Sequence, residues 1–190
     1  MENQYQNLKS YRYNLKREKS LVFMVLYFIS YSLLIRFSPR LLFSWRNFIY
    51  RIFGAKIGEG VRISNSAKLY YPWNVTIGNY CWIGDNCNLY SIDKIEIGNN
   101  VALAHNIFVS TASHDTNSLT FETIRKPVKI NDEVWIGSNA FINMGVTINK
   151  GAVIGSCAVV TKDMPEGFIC LGFPAKPVRL RKQPNVNKND

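Results

Sequence analysis

The chain is 190 residues long, 47% apolar and 19% charged, enough for one compact domain with an appendage and too apolar for a disordered chain. Its net charge of +10 is unevenly spread: residues 1–56 hold 10 Lys/Arg against 2 Asp/Glu, whereas residues 57–190 hold 13 against 11. The basic residues are interleaved with Leu, Phe, Tyr and Trp and no nucleic-acid motif occurs, so the pattern points to an anionic membrane surface and away from nucleic acid.

About twenty largely polar residues come first, and the apolar run Leu21 to Ile35 leads into Arg36 with no small-residue cleavage site, which is not the pattern of a signal peptide. The run of 15 residues is shorter than the ~20 that span a bilayer, so it reads as an interfacial or core-docked helix, with a membrane-spanning anchor as the alternative. Ser38-Pro39, then Leu41, Leu42, Trp45, Phe48, Ile49 and Ile52, then Gly54, predict a capped amphipathic helix. Arg46, Asn47 and Arg51 mark its polar side, and its apolar face is expected to cover the open end of whatever follows. Residues 1–56 thus form a basic, apolar helical segment, interfacial or capping, with peripheral membrane contact expected through residues 1–53.

From Ile57 an aliphatic residue recurs every six positions: Ile57, Ile63, Leu69; Ile77, Ile83, Leu89; Ile97, Leu103, Val109; Ile130, Ile136, Ile142; Ile148, Ile154, Val160. A second small or apolar residue stands two places earlier, so both point inward on short strands. Period six is the mark of a parallel β-helix, and three hexads per turn give about five coils over residues 57–182. Cys81 and Cys87 fall on inward positions and read as core; with Cys157 and Cys170 they show no metal-ligand spacing, which suits a reducing, cytoplasmic compartment.

The step lengthens to 8 from Leu69 to Ile77, to 8 from Leu89 to Ile97, and to 21 from Val109 to Ile130, each time after the third hexad of a coil. The three insertions should emerge at one corner, with Asp93 one coil from the long loop over residues 110–129. That loop holds His114 beside Asp115, and loops on a rigid scaffold commonly carry function, although a plain insertion would look the same. Asp115 reads as shaping the loop, and His105 as a solvated corner residue. After Val160 the chain turns at Met164-Pro165 and ends in a polar tail, 183–190, expected to be flexible.

Several stretches resemble the left-handed β-helix hexapeptide-repeat acyltransferases, and within them the colanic acid biosynthesis acetyltransferase group of polysaccharide O-acetyltransferases. They are SWRNFIYRIFGAKIGEGVRI (44–63), YPWNVTIGNYCWIGD (71–85), STASHD (110–115), VWIGSNAFINMGVTI (134–148) and GAVIGSCAVVTKDMPEGFICLGFPAKPVR (151–179). The resemblance implies an all-β fold, a left-handed parallel β-helix of about five coils with an amino-terminal helical segment, assembled as a homotrimer. It also implies transfer of acetyl from acetyl-CoA, without a metal, to a sugar hydroxyl of a polysaccharide, and the basic, aromatic amino-terminal segment favours a lipid-linked glycan precursor handled at the inner face of a membrane.

On the same resemblance His114 is the general base, and Asn86 and Asp93 contact the acceptor, through an alignment that needs a one-residue gap. Trp135, outward between Val134 and Ile136, lines the acceptor cleft or packs between subunits. Ser138, Ser156, Thr161, Lys162, Lys176 and Arg179 are expected to hold CoA, the cations pairing with its phosphates. Free sugars, serine or antibiotics are alternative acceptors. A zinc carbonic anhydrase on this fold would need three histidines, and the chain has 2. A non-catalytic scaffold would leave CoA unbound.

Overall fold

The computed structural model describes residues 5–182; the flexible tail expected over 183–190 lies outside the described residues. Short parallel strands stack into three sheets, each contributing one face of a prism. Face A stacks Ile57, Ile77, Ile97, Ile130 and Ile148 in register. Face B stacks Ile63, Ile83, Leu103, Ile136 and Ile154, and face C stacks Leu69, Leu89, Val109, Ile142 and Val160. Half-buried Ile57 apart, these residues are buried, and the smaller inward residues such as Ala67, Cys81 and Cys87 fill the space between the columns. At the corner between faces B and C, Asn86, Asn106, Asn139 and Cys157 repeat one left-handed backbone conformation, with φ of 57°, 57°, 61° and 60°.

The five expected coils are present, and a partial sixth follows them. Met164 bridges Ile148, and Phe168–Gly172 adds a strand to face B beside Val153–Ile154. Ala175–Leu180 turns back antiparallel on it and closes that sheet.

Ladder direction explains the amino-terminal cap. Along the stack, backbone N–H groups of one coil donate to carbonyls of the next: Gly58 to Ile77, Ser64 to Ile83, Tyr70 to Leu89. The first coil therefore keeps carbonyls with no coil to pair them, and such buried acceptors need donors. Helix α1 (Leu21–Ser30), the single wider turn after it (Tyr31–Ile35) and helix α2 (Phe43–Ile52) lie over this end. Arg51 donates to Ile57 O at 2.8 Å, Asn47 to Val61 O at 2.8 Å, Arg46 to Ile63 O at 2.8 Å and the Tyr50 hydroxyl to Ala67 O at 3.1 Å; the Tyr27 hydroxyl donates to Leu69 O.

Helix α2 departs from the sequence reading in two respects. Its inward side carries Arg46 and Asn47, 0% and 5% exposed, while Trp45, Phe48 and Ile52 face out, because the coil end requires hydrogen-bond donors as well as apolar cover. Ser38 does not cap the helix; its hydroxyl donates to Ile35 O at 2.6 Å and accepts from Arg46 at 3.0 Å. Helix α1 is docked on the coil by one side, with Tyr27 packed edge-on to Phe53 and Trp73. Among the described residues no helix is long and apolar enough to cross a membrane.

Candidate active site

The long insertion is a hairpin and not an irregular loop. Ala112–His114 pairs antiparallel with Thr123–Arg125, His114 standing opposite Thr123. It leaves the corner between faces C and A, where the two shorter insertions also emerge, and the three are tied together. Ser91 accepts from Tyr71 N at 2.9 Å, Thr111 accepts from Asp93 N at 2.9 Å, and Arg125 donates to Ile92 O at 3.4 Å. The corner inferred from spacing is therefore a single layered structure. Asp93 lies in it, its carboxylate accepting from Lys94 N at 2.8 Å.

His114 is half-buried, and two contacts hold its ring. Phe121 stacks on it with centroids 4.1 Å apart and planes 8° from parallel. The Phe121 carbonyl oxygen lies 2.9 Å from Nδ1. A carbonyl only accepts, so Nδ1 carries the proton of the neutral ring and Nε2 is left with its lone pair. Phe121 turns its carbonyl inward from a left-handed backbone position, φ 54°. Asp115 shapes the loop, accepting from Asn117 N at 2.9 Å, and it makes no hydrogen bond to His114. The orienting group is a backbone carbonyl, which no side-chain pattern announces.

Residues ahead of α1 form the other wall of the site. Asn7 N donates to Leu119 O at 2.8 Å, the Tyr11 hydroxyl lies 3.0 Å from the Thr123 hydroxyl, and Asn14 exchanges bonds with the Thr123 backbone. Tyr11 sits edge-on to His114 at 6.0 Å. Tyr11, Tyr13, Tyr90 and Phe108 thereby join His114 and Thr123 around a cleft of about 350 Å³, within the size range of small-molecule sites. The aromatic residues of this strap gave no periodic signal in the sequence, and their role was missed.

The other expected site residues lie elsewhere in the chain. Asn86 belongs to the column of corner asparagines between faces B and C, and its amide donates to Asn106 at 3.2 Å. Ser138 and Ser156 share that corner one coil apart, and Ser138 accepts from His105 N at 3.4 Å. Thr161 and Lys162 are exposed at the corner between faces C and A, beyond the hairpin, and Lys176 is exposed on the closing strand. Trp135 lies on face B, where Arg179, with Arg181 and Lys182, borders a cleft of about 600 Å³ beside it. Trp135 therefore shares a basic cleft with Arg179 and is not among the residues lining the His114 cleft of the same chain. His105 is an exposed corner residue as expected, its Nδ1 accepting from Asp85 N at 3.3 Å.

Burial pushes the Cys87 thiol up to about 11 and also raises Cys81, which leaves neither a ready nucleophile. Among the described residues no group of three or more His, Cys, Asp or Glu is placed to hold a metal.

The family model described as the hexapeptide repeat of succinyl-transferase matches residues 127–162. A protein of Escherichia coli K12 whose name assigns it to colanic acid biosynthesis as an acetyltransferase, WcaF, is 40% identical over 144 residues, covering 76% of this chain and 79% of that one. The hexapeptide-repeat acetyltransferase VCA0836 of Vibrio cholerae, solved with acetyl-CoA, superposes with a TM-score of 0.80 at 27% identity, covering 93% of this chain and 96% of that one. A maltose O-acetyltransferase from Clostridium difficile superposes with a TM-score of 0.73 at 27% identity, over 86% and 90% of the two chains. The coil shared with these proteins is the left-handed β-helix that the resemblance implied.

Proposed function

Because this chain belongs to the hexapeptide-repeat acetyltransferase family, we propose that it moves acetyl from acetyl-CoA to a sugar hydroxyl of a polysaccharide or lipid-linked glycan precursor, with His114 as general base. The observation that carries the reading is the fixed tautomer of His114 at the edge of an aromatic cleft. Nε2 takes the hydroxyl proton as the sugar oxygen attacks the thioester carbonyl carbon. The tetrahedral intermediate then expels the thiolate, the C–S bond breaks, and Nε2 returns its proton to sulfur, leaving an acetyl ester and free CoA. Tyr11, Tyr90 and Phe108 offer flat apolar faces suited to a sugar ring, and Asp93 stands in the same corner.

For the donor we assign Arg179 and Lys176 to the phosphates, with Lys162 and Thr161 nearer the hairpin corner and Ser138 and Ser156 along the adjoining one. Asn86 is assigned to the acceptor together with Asp93, and Trp135 to the donor side or a subunit contact. These residues occupy separate corners of one chain, which favours a site completed by a neighbouring subunit. The outward residues support the same trimeric reading. Face A carries Lys56, Glu96 and Lys129, with Lys129 and Glu96 paired at 3.6 Å, whereas face B presents Trp82 and Trp135 and face C presents Phe108 stacked on Phe141.

The test is release of free CoA from acetyl-CoA in the presence of free sugars, oligosaccharides and lipid-linked glycans, for wild type and His114→Ala. Turnover by the wild type, lost in the variant with acetyl-CoA still bound, is expected. Turnover with free sugars alone would move the acceptor to the small-molecule class, and absence of acetyl-CoA binding would overturn the reading.

A further inference from the structure

Helix α2 faces outward with several residues that the sequence pattern would have placed inside. With Arg46, Asn47 and Tyr50 turned to the coil, α2 leaves Trp45 and Phe48 exposed at 41% and 53%. Helix α1, held by Tyr27, leaves Val22, Leu26 and Leu33 exposed at 69%, 53% and 63%, counting the residue in the turn that extends it. The two exposed sides are joined, since Trp45 Nε1 donates to Leu34 O at 3.0 Å, and Phe37, in the segment that connects the helices, is 79% exposed. Soluble proteins rarely carry so large a continuous apolar surface without a partner.

We propose that this outer face of the cap is a docking surface for an anionic lipid bilayer. The rim of the face decides the occupant. Lys19 precedes α1 and Arg36 follows it, both exposed, with Lys16 and Arg17 just ahead beside Glu18, while Arg40 in the connection to α2 is paired with Asp85 at 3.5 Å. Glu18 is the only acidic residue among described residues 5–56, and it is turned away to Arg125 at 3.1 Å. A second copy of the chain meeting this face about a two-fold axis would bring two basic rims together, which is repulsive. Anionic headgroups complement the rim, and the apolar residues enter the acyl boundary as in interfacial helices. Helix α1 has ten residues, too short to cross and suited to lying in the interface plane. The cap also sits on the end of the prism. Association through faces B and C leaves it free, and cyclic symmetry would turn several caps to the same side, strengthening a weak single contact. This docking does not depend on acetyl transfer, although on that reading it places the His114 cleft beside a lipid-linked acceptor.

Full-length protein is sedimented with vesicles of phosphatidylcholine alone and with vesicles containing about 30% phosphatidylglycerol, since surface charge is the variable. Co-sedimentation with the anionic vesicles is expected, at least tenfold weaker on neutral ones and weaker at high salt, each basic residue near the surface being worth about fivefold. Phe37→Glu with Phe48→Glu should reduce binding at least tenfold while leaving the unfolding midpoint and acetyl-CoA binding unchanged. Wild type that stays in the supernatant with both vesicles, or a double variant that binds as well as wild type, overturns the proposal. Light scattering provides a further outcome: a double variant that falls to a smaller assembly, with no vesicle binding by either protein, would make the face a subunit contact and also overturn it.

Discussion

Replacing Arg46 with Met keeps the length of the side chain and removes its donors. In the native cap the guanidinium donates to Ile63 O at 2.8 Å, the Ser38 hydroxyl at 3.0 Å, Pro39 O at 2.8 Å and Arg40 O at 2.6 Å. The last two acceptors are only partly buried, so water replaces the lost bonds there at little cost. Ile63 O and Ser38 lie in the buried part of the contact, where a hydrogen bond to a charged group contributes about 1.5–3 kcal/mol. Two such bonds, less some relief from no longer burying a charge, give a loss of about 3 kcal/mol. For a chain of this size that lowers the unfolding midpoint by roughly 10 °C. Phe48→Ser is the companion measurement, because an outward residue should change stability by no more than about 0.5 kcal/mol. Thermal unfolding followed by circular dichroism reads both. An Arg46→Met protein as stable as wild type, or a Phe48→Ser protein destabilised as much as Arg46→Met is expected to be, would refute the hydrogen-bonded plug.

His114→Ala is expected to lower acetyl transfer by about 10²–10⁴-fold, the contribution of a general base, with acetyl-CoA affinity kept in calorimetric titration. Native protein should present a single reactive thiol to an aromatic disulfide reagent, because Cys157 is exposed while Cys81, Cys87 and Cys170 are buried; denaturant should release all four. The Asp85 carboxyl is held below its ordinary range first by the Ser64 hydroxyl, against the opposing effect of burial, and further by Arg40 and His105. A lowered native pKa contributes stability that is present above the unfolded value of about 3.9 and lost as pH falls through the native one. Ser64→Ala should therefore raise the Asp85 pKa and move the start of acid unfolding to higher pH; an unchanged carboxyl titration by NMR would contradict the assignment of Ser64 as its main partner.

The coil was legible from spacing alone. An inward residue every six positions leaves little freedom of register, and the columns Ile57 to Ile148, Ile63 to Ile154 and Leu69 to Val160 are those the hexads implied. The irregular steps also located the corner that carries His114, because an insertion cannot enter a packed prism and must leave at a turn. Other features arise only when distant parts of the chain meet. Helix α2 turned Arg46 and Asn47 inward beside Ile49 and left Trp45 and Phe48 outside because the first coil offers unpaired carbonyls, a demand set by ladder direction and invisible to a hydrophobic pattern. Phe121 orients His114 through a backbone oxygen, and backbone atoms are common to every residue. Tyr11 and Asn14 reach Thr123 across 112 and 109 residues of sequence, a contact of side chains on an aperiodic strand of chain. Local alternation thus determined the scaffold and its active corner, whereas the polar surfaces that meet in the folded chain decided which way the cap faces and what surrounds the histidine.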